Sequence, residues 1–408
     1  MNGPWFVLVE SNTTGTGRDF AVAASRRGLT PVMVARDPRR YPYVAELALP
    51  VVEVDTANPD VVEAACRRLG APGPVGITSS SEYFVRTAAV VAQRLGLRGQ
   101  DPDAIALCRD KSAQRRRLRD AGVPVPDFVP CATAAAAAAA ARSLGGPVVV
   151  KPVSGSGSEG VRRCANPGAA RWWAARLLAD RRRFPAGRLL VEREVRGPEY
   201  SVEIVDGVPV GITRKHLGRP PYFVETGHDY PAPLPAEQAA ALADTAVRSV
   251  RAVGHVVGPA HVELRLAGVP TVIEINPRLP GGLIPRLVRH AVGRDLVDEV
   301  VAAAAGIPAA DPVPGAGFAA IRFLLPPRQG VVAEVSGLDR ARQLPGVVDV
   351  SCVLEPGADI RFTHSFTDRK GHAIGVGDHA AGAIAAAELA LAELRLTYTD
   401  EVAAATAV

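Results

Sequence analysis

Apolar residues come in short runs separated by stretches with helical spacing over the first hundred positions. Trp5–Glu10 is an apolar run, Arg18–Arg27 has helical periodicity and stops at Gly28, and Pro31–Ala35 is a second run. Strand, helix and strand in that order predict a βαβ unit. Val51–Val54, Val75–Thr78 and the helical stretch Tyr83–Leu95 continue the alternation. Residues 1–105 therefore predict a small open parallel sheet. Gly15 and Gly17, between the first strand and helix, are expected to serve tight-turn packing, because a full phosphate-binding fingerprint is missing. Ser79-Ser80-Ser81-Glu82 follows a strand at the carboxyl edge of this sheet, where open α/β sheets bind ligands. Glu82 is thus a candidate for gripping a cationic group, or a helix N-terminal acid favoured by the dipole.

The pattern then becomes mixed. Lys111 opens a helix that ends at Gly122, and Thr133 caps an alanine-rich helix. Val148-Val-Val-Lys151-Pro152 is a buried strand closed by a lysine, a residue seldom buried unless an anion pairs with it. The loop Ser154-Gly-Ser-Gly-Ser-Glu-Gly160 contains G-x-G-x-x-G. A dinucleotide fingerprint requires a helix to start at the loop. Here Val161–Cys164 is followed by Asn166-Pro167-Gly168, so strand, loop and strand fit better, and no Gly-Lys-Ser/Thr follows for a P-loop. What remains is a flexible flap whose backbone N–H groups can wrap phosphate oxygens. Leu189–Val195 and Glu199–Val205 read as strands, with Glu199, Ser201 and Glu203 on one face. Glu225–Leu234 reads as a polar, Pro-rich loop in which Glu225 and His228 form a candidate substrate clamp.

Pro259–Arg278 predicts a hairpin turning at Ala267–Pro270. If Leu266 pairs with Thr271, Glu263 lies opposite Glu274 and His261 opposite Asn276, so Glu263, Glu274 and Asn276 share a face. Like charges placed opposite one another destabilise a hairpin. A hard cation removes that conflict, since magnesium prefers carboxylate, amide and phosphate oxygens. Asn276-Pro277-Arg278 ends the strand and aims a guanidinium at the same point. Leu279–Pro285, with Gly281, is a tight turn before a helix. Beyond Pro308 the texture changes: strands at Phe318–Leu325, Val331–Val335 and Val347–Leu354 and a helix at Ala380–Leu394 predict a small α+β region at 311–408.

Composition narrows the class. A chain of 408 residues predicts two to four domains. No apolar run is long enough for a membrane span, and no export pattern opens the chain. Five cysteines without close pairs argue against disulfides or zinc, so the cytoplasm is the expected compartment. The net charge of +5 is spread along the chain and aromatics are 5%, which argues against nucleic acid. The runs Arg115–Arg119 and Arg181–Arg183 are expected to be solvated helix faces.

Lys111, Lys151 before a glycine flap, the Val-Glu-Arg-Glu-Val195 hinge, and Glu263 with Glu274-Ile-Asn-Pro-Arg278 together resemble the ATP-grasp superfamily over nearly the whole chain. Within it, Glu225–Leu234 and Asn276–Pro285 look like the bacterial L-amino acid ligases. The resemblance implies an α/β ATP-grasp architecture: an N-terminal open parallel-sheet domain (1–105), a two-lobed ATP clamp (106–310, flap about 125–196) and a C-terminal α+β lid (311–408). It implies that Lys111 and Lys151 hold the phosphates of ATP under Ser156, Gly157, Ser158 and Gly160, while Glu192, Val195 and Glu199 hold the nucleoside. Glu263, Glu274 and Asn276 would bind two Mg²⁺ ions, or Mn²⁺. Arg278 would join Lys151 in catalysis, and Glu82, Glu225, His228, Arg278 and Gly281 would line a pocket for a carboxylate and an amine, in a homodimer. Pro280 stands where the family has a small residue, which reshapes that pocket. The implied reaction is amide formation through an acyl phosphate. Another ATP-grasp enzyme, such as a carboxylase or a nucleotide-pathway ligase, and a non-catalytic nucleotide-binding regulator are the alternatives.

Overall fold

The structure is a computed structural model and describes residues 3–13 and 16–399. Gly15 lies outside the described residues. Gly17 does not: a Cβ there would meet the Asn12 carbonyl oxygen at 2.0 Å.

The N-terminal sheet is four-stranded and wholly parallel, ordered Val51–Glu53, Thr30–Ala35, Trp5–Val9, Pro74–Thr78. Both faces of its apolar strands are covered. Phe6, Leu8 and Met33 pack with the helices Gly17–Arg26 and Leu296–Ala305, and Val7, Val9 and Val34 pack with the helices Pro59–Arg67 and Val85–Arg94.

A second four-stranded sheet, antiparallel, is ordered Phe128–Cys131, Leu189–Arg193, Val148–Pro152, Arg162–Cys164. The helices Ala134–Leu144 and Pro167–Ala179 bury their alanines against it. Each starts at a polar cap: Thr133 accepts from the Ala136 N–H at 3.1 Å and Asn166 from that of Ala169 at 2.9 Å. The helix after the glycine loop thus starts at Pro167, beyond an intervening strand.

The largest sheet has eight antiparallel strands, ordered Val269–Asn276, Pro259–Ala267, Glu199–Val205, Val208–Leu217, Glu225–Tyr230, Phe318–Leu324, Gly371–Gly377, Val347–Cys352. It runs without a break across residue 311. Glu225–Tyr230, expected as part of a loop, is a strand. Its polar sequence carries no strand pattern; ladders to Val208–Leu217 on one side and Phe318–Leu324 on the other impose the conformation. Three further strands, ordered Asp359–Ile360, Gly330–Ser336, Arg395–Tyr398, form a separate sheet in the C-terminal region.

The hairpin at the end of this sheet reaches the expected pairing by a different route. Its turn is tighter than the sequence predicts: Ala267 faces Val269 around Gly268 (φ +86°), and Leu266 faces Pro270 rather than Thr271. That turn alone would set Glu263 opposite Ile273. An extra residue in the second strand, Ile273, forms a bulge and returns the ladder to Glu263 opposite Glu274 and His261 opposite Asn276. The turn and the bulge offset each other, and both carboxylates face the same way.

The outer edge of Val269–Asn276 is closed by side chains of the Lys111–Asp120 helix. The fully buried Gln114 accepts from the Ile275 N–H at 3.1 Å and donates to the Ile275 carbonyl at 3.0 Å and the Cys108 carbonyl at 2.8 Å. Arg115 donates to the carbonyl of the bulged Ile273. Replacing Gln114 by leucine keeps the volume but strands these backbone groups. The variant is expected to lose about 2–4 kcal/mol, measured as a fall in the urea midpoint at unchanged slope; an unchanged midpoint would show that this edge needs no side-chain bracket.

Candidate functional site

The site begins at three buried charges. Glu192, on the strand Leu189–Arg193, is held by Lys151 Nζ at 2.5 Å and Arg115 Nε at 2.6 Å. Burial alone would raise the Glu192 carboxyl, but Arg115 and Lys151 hold it below its ordinary value. Burial, with Arg115 close by, pulls the Lys151 ammonium down. Arg115 corrects the expectation of a solvated Arg115–Arg119 face, because its side chain is fully buried. A charge run cannot reveal which member turns inward until the opposing carboxylate is placed.

The facing carboxylates are each met by protein cations. Lys111 Nζ lies 2.9 Å from Glu274 and donates to the Gly155 carbonyl at 2.7 Å, tying the flap loop to the hairpin. Lys215, 3% exposed, lies 2.7 Å from Glu263, 2.8 Å from Glu225 and 3.4 Å from Glu199. Burial opposes its charge, yet the three carboxylates together raise its pKa well above the ordinary value. Glu263 is likewise held far below its ordinary value: burial opposes ionisation, and Lys215 and His261 override it. His261 accepts a place between Glu203, 2.9 Å from Nδ1, and Glu263, 3.2 Å from Nε2. Burial pushes its ring down, but Glu203 foremost raises it to about 9. The like-charge conflict between Glu263 and Glu274 is therefore relieved by Lys111, Lys215 and His261, and does not by itself demand a metal.

Lys215 is the main residue that sequence reasoning missed. Asp206-Gly207 is a two-residue hairpin signal, and following it places Arg214 opposite Glu199. A bulge between Pro209 and Gly211 shifts the ladder, so Lys215 takes that position, with Thr213 opposite Ser201. Arg265 was also missed. It bonds Glu199 at 3.0 Å and the Val195 carbonyl at 3.0 Å, fixing the hinge where the chain leaves the flap sheet.

At the far end, Arg278 Nε donates to Glu82 at 2.6 Å and joins the hairpin to the N-terminal sheet. Glu225 is bonded by Arg369 at 2.8 Å. Burial favours its neutral form, but Lys215 above all holds it ionised. His228 Nε2 stands 3.5 Å from Glu225, and neither ring nitrogen makes a hydrogen bond among the described residues. Burial lowers its pKa and so favours the neutral ring, with Glu225 opposing. Its edge meets Phe323, and Gly282 lies so close that a Cβ there would stand 2.5 Å from Nε2.

A cleft of about 940 Å³, open to solvent, separates the flap sheet from the eight-stranded sheet. Lys111, Lys151, Ser156, Gly157, Ser158, Glu192, Val195, Glu199, Glu225, Glu263, Glu274, Asn276 and Arg278 all line it. Glu82 is one contact away through Arg278, and His228 sits behind Glu225. Gly160 faces away: its carbonyl accepts from Trp173 Nε1 at 2.9 Å, and Leu177 and Phe184 crowd its Cα. Gly281 has open space around it. Pro126, Val149, Val161, Phe223 and Ile273 are among the apolar residues of its lining, beside seven carboxylates and five basic side chains. A polyanion entering such a cleft needs added positive charge. Among the described residues no three His, Cys, Asp or Glu side chains group as a metal cage. Two facing carboxylates and the buried Asn276 amide instead fit Mg²⁺, which takes few protein ligands and completes its shell with phosphate and water.

Three comparisons bear on this site. Residues 144–285 match the ATP-grasp domain, and residues 322–399 match the L-amino acid ligase C-terminal domain 2. The chain is 37% identical to the uncharacterized protein y4rH of Sinorhizobium fredii, across 91% of this chain and 78% of that one. It is 31% identical to carnosine synthase 1 of Gallus gallus over 80% of this chain, but spans only 39% of that protein. The crystal structure of L-amino acid ligase from Bacillus licheniformis superposes with a TM-score of 0.82 at 25% identity, covering 98% of this chain and all of that one. No helix among the described residues is long and apolar enough to cross a membrane.

Removing the central cation has a signed consequence. In Lys215→Met, Glu225 and Glu263 lose the cation that holds their pKa values down, so burial and mutual repulsion raise them above those of the unfolded chain. Such carboxylates bind protons on folding, so the variant regains stability as pH falls. Relative to wild type, a deficit of about 3 kcal/mol near pH 8 should shrink by about pH 5.5. Urea midpoints at both pH values test this; a deficit independent of pH would mean that Lys215 acts through packing alone.

Proposed function

Since the chain belongs to the ATP-grasp superfamily, among its carboxylate–amine ligases, we propose that it joins an amino acid or related carboxylate to an amine through an acyl phosphate, releasing ADP and phosphate. The observation that carries the reading is the ladder pairing of Glu263 with Glu274, with Lys111 and Lys151 across the same cleft. In this reading the apolar residues of the cleft lining take the adenine beside the Glu192–Val195 hinge. Lys111 and Lys151 hold the phosphates, and Ser156, Gly157 and Ser158 close over them with their backbone N–H groups. Glu263, Glu274 and Asn276 hold Mg²⁺, which when bound supplies charge neutralisation between the phosphates.

A carboxylate is a poor acyl donor because its leaving oxygen is an anion. One of its oxygens attacks the γ-phosphorus, the bond to the β-bridging oxygen breaks, and ADP leaves. The amine then attacks the acyl carbon, loses a proton, and phosphate departs from the tetrahedral intermediate. Phosphoryl transfer asks chiefly for positioning and charge neutralisation. In this reading Arg278, which donates to Glu82 at 2.6 Å, takes up charge on the transferring group and then on the oxyanion. Glu225 offers an ionised carboxylate to an ammonium group, and the neutral His228 ring offers a donor and an acceptor. The acyl phosphate is lost if water reaches it, which gives the flap its purpose.

Panels of amino acids with ATP and Mg²⁺ are expected to yield ADP and phosphate, and added hydroxylamine to trap a hydroxamate. AMP with pyrophosphate would instead indicate adenylation. Glu274→Gln keeps the size of the side chain and should reduce turnover to background while circular dichroism is unchanged. Near-normal activity in that variant would remove the metal role assigned to the hairpin.

A further inference from the structure

The segment Thr363–Arg369 touches the flap at one end and the substrate clamp at the other. It folds around Asp368, whose carboxylate accepts from the Thr363 N–H at 2.8 Å, the Thr363 hydroxyl at 2.7 Å and the His364 N–H at 2.8 Å. A segment braced in this way presents its neighbouring side chains in fixed positions. Phe366 lies on the flap tip: its N–H donates to the Gly157 carbonyl at 3.3 Å. A Cβ at Gly157, where φ is +65°, would stand 2.3 Å from the Phe366 ring. Only glycine allows this approach. A second attachment lies alongside. His364 stacks on Tyr222 at 3.8 Å and 3° between planes, and the Pro221 carbonyl accepts from the Arg163 N–H of the flap sheet at 2.8 Å.

From the same segment Arg369 reaches inward. It donates to the Phe366 carbonyl at 3.3 Å and to Glu225 at 2.8 Å, with its guanidinium over the Phe323 ring at 4.4 Å. Glu225 in turn shares Lys215 with Glu263. A continuous line of contacts thus joins the tip of the nucleotide flap to the carboxylates of the hairpin.

We infer that Thr363–Arg369 is a closure latch: Phe366 receives the glycine flap, and Arg369 is a positioning residue that aligns Glu225 for the ammonium group of the substrate only when the flap is seated. The inference rests on the ligase reading of the site. An open flap leaves Phe366, already 46% exposed, without its partner, and releases the Phe366 N–H that ties the Arg369 segment to the Gly157 carbonyl. Seating the flap would therefore cover the acyl phosphate and complete the amine-binding clamp together, so that ATP is not spent on water.

Two measurements on the full chain test the latch. The first is amide hydrogen exchange at residues 154–161 with Mg²⁺ and a non-hydrolysable ATP analogue. Phe366→Ala, a change at the surface, should speed exchange there about tenfold over wild type. The second is the ratio of ADP to ligated product. Phe366→Ala should raise it about threefold, as acyl phosphate is lost to water. Arg369→Ala should raise KM for the amino acid about tenfold with little change for ATP, and Arg369→Lys should recover part of that loss. Wild-type exchange and wild-type coupling in Phe366→Ala would overturn the latch and leave the ligase reading intact. A wild-type chain that releases no ADP with any pair of amino acids would overturn the ligase reading, and the exchange experiment would then decide the latch alone.

Discussion

Two carboxylates that meet across one rung of a hairpin set the terms for the rest of the molecule. Glu263 and Glu274 cannot share a cleft face unless positive charge surrounds them, and the chain brings that charge from three places. Lys111 comes from the start of a helix, Lys215 from the neighbouring hairpin and His261 from the same strand. Each cation is itself buried and is tolerated only because it has an acid to face. The cleft is thus a network of mutual compensation in which few members can be removed singly. Its charge is arranged rather than merely balanced, each buried cation lying within ion-pair distance of a carboxylate.

The hairpin's register carries the same lesson at the level of the backbone. A shift of one residue turns every side chain of a strand to the other face, so Glu274 and Asn276 reach the cleft only because Ile273 is set aside as a bulge. Arg115 and Gln114 then hold the displaced backbone, one through a carbonyl and the other through a side-chain amide that imitates a neighbouring strand. The residues that position the site are therefore not those that line it.

Much of this could be read from the chain. The βαβ start, the buried valine strand ending in Lys151, the glycine flap and the facing glutamates all follow from local periodicity, and the structure has each of them. The hairpin pairing was right for an incomplete reason, since neither the tighter turn nor the bulge is visible in a row of apolar residues. What local pattern could not give were elements whose conformation comes from their neighbours. Glu225–Tyr230 is too polar to announce a strand and becomes one between two ladders. Lys215 sat in an unremarked Arg-Lys-His run, and Arg115 in a run that looked like a solvated face. Both became visible only once their partners were placed. Arg369 lies far along the chain from Glu225, and no spacing rule connects them.

The eight-stranded sheet has a further bearing on how such enzymes diversify. Because Phe318–Leu324 hydrogen-bonds directly to Glu225–Tyr230, the C-terminal region is not a cap resting on a finished nucleotide-binding body. Exchanging it for the corresponding part of a relative would have to reseal a sheet edge whose strand carries Glu225 and His228. Chimaeras joined near residue 311 would accordingly have to rebuild the ladder between Phe318–Leu324 and Glu225–Tyr230, whereas an exchange confined to the flap sheet, which shares no ladder with the large sheet among the described residues, leaves that pairing intact.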